Sequence, residues 1–140
     1  MTKEVIVTLR GVHNTEQEQG EPIETVSGGT YSYNDGTHEI QYEEIDEEDQ
    51  QITKVTLRVD QDSVSMVKEG QLNTQMLFRQ NEKTTSCYQT PYGDLMMGID
   101  TECIEVQNTE ECLEINMAYE LDMNNQSFAK CAMYIKVMEK

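Results

Sequence analysis

The chain has 140 residues, with 27 acidic against 10 basic side chains and a formal net charge of −17. That field repels nucleic-acid phosphates and anionic membrane surfaces, which argues against both as partners. The length suits one domain, residues 1–140, with a single core.

Residues 3–12 alternate Val5, Val7 and Leu9 with Thr8 and Arg10. Only a period of two does that, so a first strand is predicted there. The same stretch has no apolar run long enough for a secretory leader or a membrane span, and the expected location is cytoplasmic. A polar Gln/Glu/Gly loop follows, closed by Pro22. Residues 23–33 read as a Thr- and Tyr-rich strand in which Gly28 and Gly29 predict a bulge or sharp bend. Asn34-Asp35-Gly36 is a hairpin signal, because Asp-Gly tolerates the positive φ of such turns. The returning strand, residues 37–44, carries Ile40 and Tyr42.

The run Glu43-Glu44-Ile45-Asp46-Glu47-Glu48-Asp49 lacks the central glycine and fixed spacing of a calcium loop. It reads as a solvated hairpin loop. Alternation resumes with Val55, Leu57 and Val59, turns at Asp60-Gln61-Asp62, and continues through Val64 and Met66 to a turn at Glu69-Gly70. Residues 72–79 form the next strand. Residues 84–90 lead into a tight Pro91-Tyr92-Gly93-Asp94 corner. Beyond it, residues 95–106 place Leu95, Met97 and Ile99 on one face, and Gly98 marks a bend or a close approach. In residues 112–123, Leu113, Ile115, Met117, Tyr119 and Leu121 alternate with polar or small residues. A helix through the same segment would bury Glu114 and Glu120. After Asn124-Asn125 a closing strand carries Ala129, Cys131, Met133, Ile135 and Val137 on one face.

Eight to ten strands at short, regular spacing predict an all-β antiparallel meander. Closing it into an up-and-down β-barrel removes its two edges, and a sandwich is the alternative. The four cysteines, Cys87, Cys103, Cys112 and Cys131, show no C-x-x-C spacing, so neither a zinc site nor a redox motif is expected. Cys103 and Cys112 flank one turn and could face each other, although reduced thiols are the expectation in a cytoplasmic chain. His13 and His38 are the two histidines, and both fall in or beside polar, turn-like segments where exposure is the default. No nucleophile elbow, phosphate-binding glycine loop or H-E-x-x-H occurs. No catalytic residue, metal or cofactor is therefore assigned. The candidates for an inward-facing ligand site are Arg58, Arg79, Tyr42, Tyr88, Tyr92 and Tyr119. An inward arginine requires an acidic partner or a bound anion, whereas an outward one pairs with a surface acid.

Assembled in order, several pieces resemble the YwiB-like family of bacterial proteins. They are Gly29-x-Tyr31, Ile40-x-Tyr42-x-Glu44, the alternation into the Asp60 turn, Met76-x-Phe78, Tyr88-x-Thr90-Pro91-Tyr92-Gly93 and Tyr119-x-Leu121. The resemblance spans almost the whole chain and implies a calycin-like, lipocalin-like β-barrel, with no established activity to carry over. One departure is Lys68 in Val67-Lys68-Glu69-Gly70, where the pattern expects an arginine able to make a bidentate contact. Two functional readings follow. The barrel holds a small ligand, anionic or apolar, as relatives of this fold commonly do. Alternatively it is filled, and acts through its outside as a protein-interaction or homodimerising module, for which Ile6, Met96 and Tyr134 offer outward apolar surface.

Overall fold

The computed structural model describes residues 3–14, 23–45, 48, 50–70, 73–90, 92–123 and 126–140. Among these the period-two pattern becomes ten strands: β1 (Lys3–Asn14), β2 (Ile23–Asn34), β3 (Thr37–Ile45), β4 (Ile52–Val59), β5 (Ser63–Glu69), β6 (Asn73–Arg79), β7 (Lys83–Thr90), β8 (Gly93–Asn108), β9 (Cys112–Met123) and β10 (Gln126–Glu139). Each pairs antiparallel with the next, and β10 returns to pair with β1, closing an all-β barrel. Val5 opposite Glu139 and Val7 opposite Val137 fix the closing register. The expectation of an antiparallel up-and-down barrel is met.

Register and alternation decide which side chains fill the inside, because a slip of one residue would turn each buried set outward. Val5 and Val7, Ile40 and Tyr42, Val55, Leu57 and Val59, Val64 and Met66, Met97 and Ile99, and the odd-numbered residues 113–121 are all buried. Phe78 of β6 and Tyr119 of β9, on strands that do not pair with each other, meet edge-on with ring centroids 4.8 Å apart. Their rings pack together in the barrel interior.

Local chemistry sets the corners. Asp35 (φ 50°) and Gly36 (φ 86°) both sit at positive φ, as a two-residue hairpin demands. Register irregularities fall between Thr101 and Cys103 and between Ser127 and Ala129. The bulge expected at Gly28 and Gly29 is absent, since Val5↔Gly29 and Ile6↔Gly28 continue the β1 ladder without a break. Gly29 instead answers a close approach: a Cβ there would lie 2.4 Å from the Gln41 carbonyl oxygen and 3.0 Å from the Tyr42 Cβ. Gly98 also has a close neighbour, but it is a side chain, the carboxylate of Asp122. That carboxylate reaches on to Lys83 Nζ at 2.6 Å.

Candidate functional site

The six candidate residues do not converge. Arg58 lies on the outer face with Nε 3.5 Å from a Glu39 carboxylate oxygen. Arg79 lies at the end of β6, 3.9 Å from Glu82, with more than half its side chain exposed. Both follow from position: Arg58 alternates with the buried Leu57 and Val59, and long charged side chains stay solvated. Tyr92 is fully exposed on the β7–β8 corner. Tyr88 sits on β7 opposite Thr74 and Leu95, and its side chain lies outside the described residues. Tyr42 and Tyr119 point inward and are buried. Burial pushes the Cys131 thiol up to about 11, only partly offset by a hydrogen bond with Tyr119, so this thiol stays protonated and unreactive at neutral pH. The hairpin does not bring Cys103 and Cys112 together: Cys103 faces Ala118 and Cys112 faces Met138 of β10. All four cysteines are unbridged thiols.

At one mouth of the barrel the turn between β8 and β9 meets the start of β1 and the end of β10. There a cavity of about 240 Å³ is lined by Lys3, Val5, Tyr31, Cys112, Val137 and the carboxylates Glu110, Glu111 and Glu139, among others. Tyr31 continues the wall inward, its hydroxyl 2.7 Å from His38 Nδ1. His38 is buried, contrary to the exposure expected of it, because it shares the parity of Ile40 and Tyr42 and so faces inward with them. Desolvation lowers its pKa, opposed by the charge of Asp60, and burial raises that of Tyr31. The two groups share one hydrogen bond, whose donor is set by the imidazole tautomer. Asp60 in turn accepts from the Thr37 hydroxyl. The parity of His38 was the signal in the sequence, hidden by the polar turn beside it.

Near the opposite mouth, Glu44 and Lys68 project on the inward parity of β3 and β5 and form an ion pair at 3.3 Å, each about a third exposed. Tyr42 lies one step deeper. Its hydroxyl is buried and has no hydrogen-bond partner, and burial, with the charge of Glu44 second, holds its pKa far above the ordinary tyrosine range. An unpaired buried hydroxyl costs stability, and among the described residues the Thr101 hydroxyl shares this condition.

The wall itself parts beside Tyr42. The β2–β3 ladder runs from Asn34↔Thr37 to Gly29↔Tyr42 and stops. Beyond it, β2 continues for six residues paired only with β1, and β3 continues to Ile45 paired only with β4. A cavity of about 600 Å³ on the outer face of β2–β5 adjoins this seam, lined by Gly28, Gly29, Thr30, Gln41, Tyr42, Glu43, Lys54 and Glu69, among others. Exposed apolar residues cross the same region. Met138 is opposite Ile6, Ile6 is opposite Gly28, Val26 lies two residues along β2, and Ile45 is opposite Ile52. All five are between 38% and 64% exposed. Carrying the β2–β3 register past its end would set Val26 against Ile45. The five thus form one oblique outward stripe across five strands, interrupted at the seam.

Among the described residues no cluster of His, Cys, Asp and Glu could hold a metal ion, and no helix is long and apolar enough to cross a membrane. The fold matches the crystal structure of ywiB protein from Bacillus subtilis with a TM-score of 0.87, over 99% of this chain and 93% of that one, at 20% sequence identity. At that identity the likeness speaks for the fold alone. Comparison with curated proteins finds no match. A family model described as "Domain of unknown function (DUF1934)" matches residues 7–135, and the chain belongs to that family.

Proposed function

We propose that this protein is a filled barrel that works through its outside, as a protein-binding module. The observation that carries this reading is the outward stripe of Met138, Ile6, Val26, Ile45 and Ile52 beside an unclosed seam. The interior supports it: the buried Phe78 and Tyr119 pack edge-on inside the barrel, taking up space that a lipocalin-type ligand would need. Burying five large side chains of this kind against a partner would contribute on the order of 1 kcal/mol or more each.

The test is native mass spectrometry of protein purified from its own kind of host, read beside its denatured mass, for the natural chain and for a Val26→Asp/Ile45→Asp variant. A stoichiometric complex with a polypeptide, lost in the variant, is the expected result. A reproducible increment of a few hundred daltons with no polypeptide would overturn it.

That second result would favour a small ligand, and the mouth cavity beside Tyr31 and His38 is where the geometry would put one. Three carboxylates against one lysine line that cavity. This ligand would be a cation or amine held against the Tyr31 ring rather than an anion or a purely apolar molecule. The arginines considered for anion binding are already ion-paired on the outer face.

A further inference from the structure

Resting on the reading of the barrel as an external binding module, we infer that the seam between β2 and β3 accepts an extended basic peptide segment as an added strand. Four observations converge on it. The first is backbone. Past Gly29 and Tyr42 the β3-facing side of β2 and the β2-facing side of β3 carry no ladder among the described residues. In a strand paired on one side only, alternate residues leave both N–H and C=O without a partner, and such edges template another strand. The second is room. A cavity of about 600 Å³ on the outer face adjoins the seam at Gly28 and Glu43, and the outward side of Gly28 meets nothing within 4 Å.

The third observation is side-chain chemistry. Val26 and Ile45 flank the seam on the outer face and are each at least 60% exposed. A strand lying between them would place every second side chain against this apolar pair. The fourth is charge. Glu43 and Glu69 line the cavity against one lysine, Lys54, in a chain of net charge −17. A basic segment is drawn to this field, whereas an acidic segment or a second copy of this chain is repelled by it.

The geometry therefore specifies a partner with alternating lysine or arginine and branched apolar residues. A fluorescent peptide Lys-Val-Lys-Val-Lys-Val-Lys, titrated with the full chain at moderate ionic strength, tests this directly. Three comparisons accompany it: the Glu-Val counterpart, the Lys-Val peptide N-methylated at alternate backbone nitrogens, and the Gly28→Leu protein, whose side chain would occupy the cavity. Saturable binding of the Lys-Val peptide is expected, weakened by about tenfold or more in each comparison. Methylation acts on the peptide, so this arm holds whatever Gly28→Leu does to folding.

No binding of the Lys-Val peptide overturns the proposal, as does equal binding of the methylated one, which would leave only nonspecific charge attraction. Equal binding of the Glu-Val peptide overturns the assignment of a basic partner. These failures differ from failure of the broader reading. If strand addition is wrong but external binding is right, the Val26→Asp/Ile45→Asp variant still loses the polypeptide in native mass spectrometry. If external binding is wrong, that variant behaves as the natural chain does.

Discussion

The band of the barrel spanned by Phe78 and Tyr119 and the seam beside Gly29 and Tyr42 use the same strand chemistry to opposite ends. In the band, the inward rings of two strands that do not pair with each other meet, even though the β6–β7 ladder ends at Gln75↔Cys87, short of Phe78. At the seam, glycines occupy two successive β2 positions, so one strand carries no side chain on either face just where its ladder with β3 ends. Closure thus depends on side-chain volume as well as on backbone pairing. Gly29 lets the Gln41 carbonyl and the Tyr42 Cβ approach closely at the last rung of the ladder.

The sharpest way to break the packed band is Phe78→Ala. Phe78 is wholly buried, and removing its ring takes away the edge-on contact with the Tyr119 ring, so a loss of about 3–5 kcal/mol is expected in urea unfolding. At the seam the two adjacent glycines should behave differently. Gly29→Val drives a Cβ against the Gln41 carbonyl and should cost roughly 1–3 kcal/mol. Gly28→Leu points into open space and should stay within about 0.5 kcal/mol of the natural protein. Equal effects at both positions in thermal melts would show that the seam is not open on the outer face.

The two inward tyrosines give a smaller contrast. Tyr119→Phe removes a hydroxyl bonded to Cys131 and should lower stability by about 1 kcal/mol. Tyr42→Phe removes an unpartnered one and should be neutral or stabilising. A loss at Tyr42 as large as at Tyr119 would mean that its hydroxyl is satisfied in solution.

The smallest expected effect is with pH. The folded state lowers the pKa of His38, so the unfolded chain binds the proton more readily. The contribution of His38 is then fully present above the unfolded value of about 6.5 and is lost as pH falls through the folded value. The stability difference between the natural protein and His38→Gln, followed by urea midpoints from neutral to acidic pH, should shrink on acidification. A difference that stays constant or grows would show that the histidine is not held neutral by burial.

Much of the fold was legible because period-two alternation, turn residues and strand order are local properties. The residues from Leu113 to Leu121 and the Asn34-Asp35-Gly36 corner each declare their conformation within a few positions. The family resemblance was legible for a related reason, as an ordered series of short local patterns. His38 shows where local reading misleads, since its polar neighbours suggested exposure while its parity with Ile40 and Tyr42 decided burial. Cys103 and Cys112 show a second limit: both flank one turn, yet only the register reveals that each faces a different strand.

By itself, then, the sequence determined the strands, their antiparallel succession and the acidic surface, because each depends on residue type and near-neighbour spacing. Only the tertiary structure decided where the ladder between β2 and β3 ends. It alone also joined Met138, Ile6, Val26, Ile45 and Ile52, drawn from five strands, into one outward stripe. That juxtaposition depends on strand register around a closed barrel, which brings together residues far apart in the chain and leaves no trace in the spacing of any one segment.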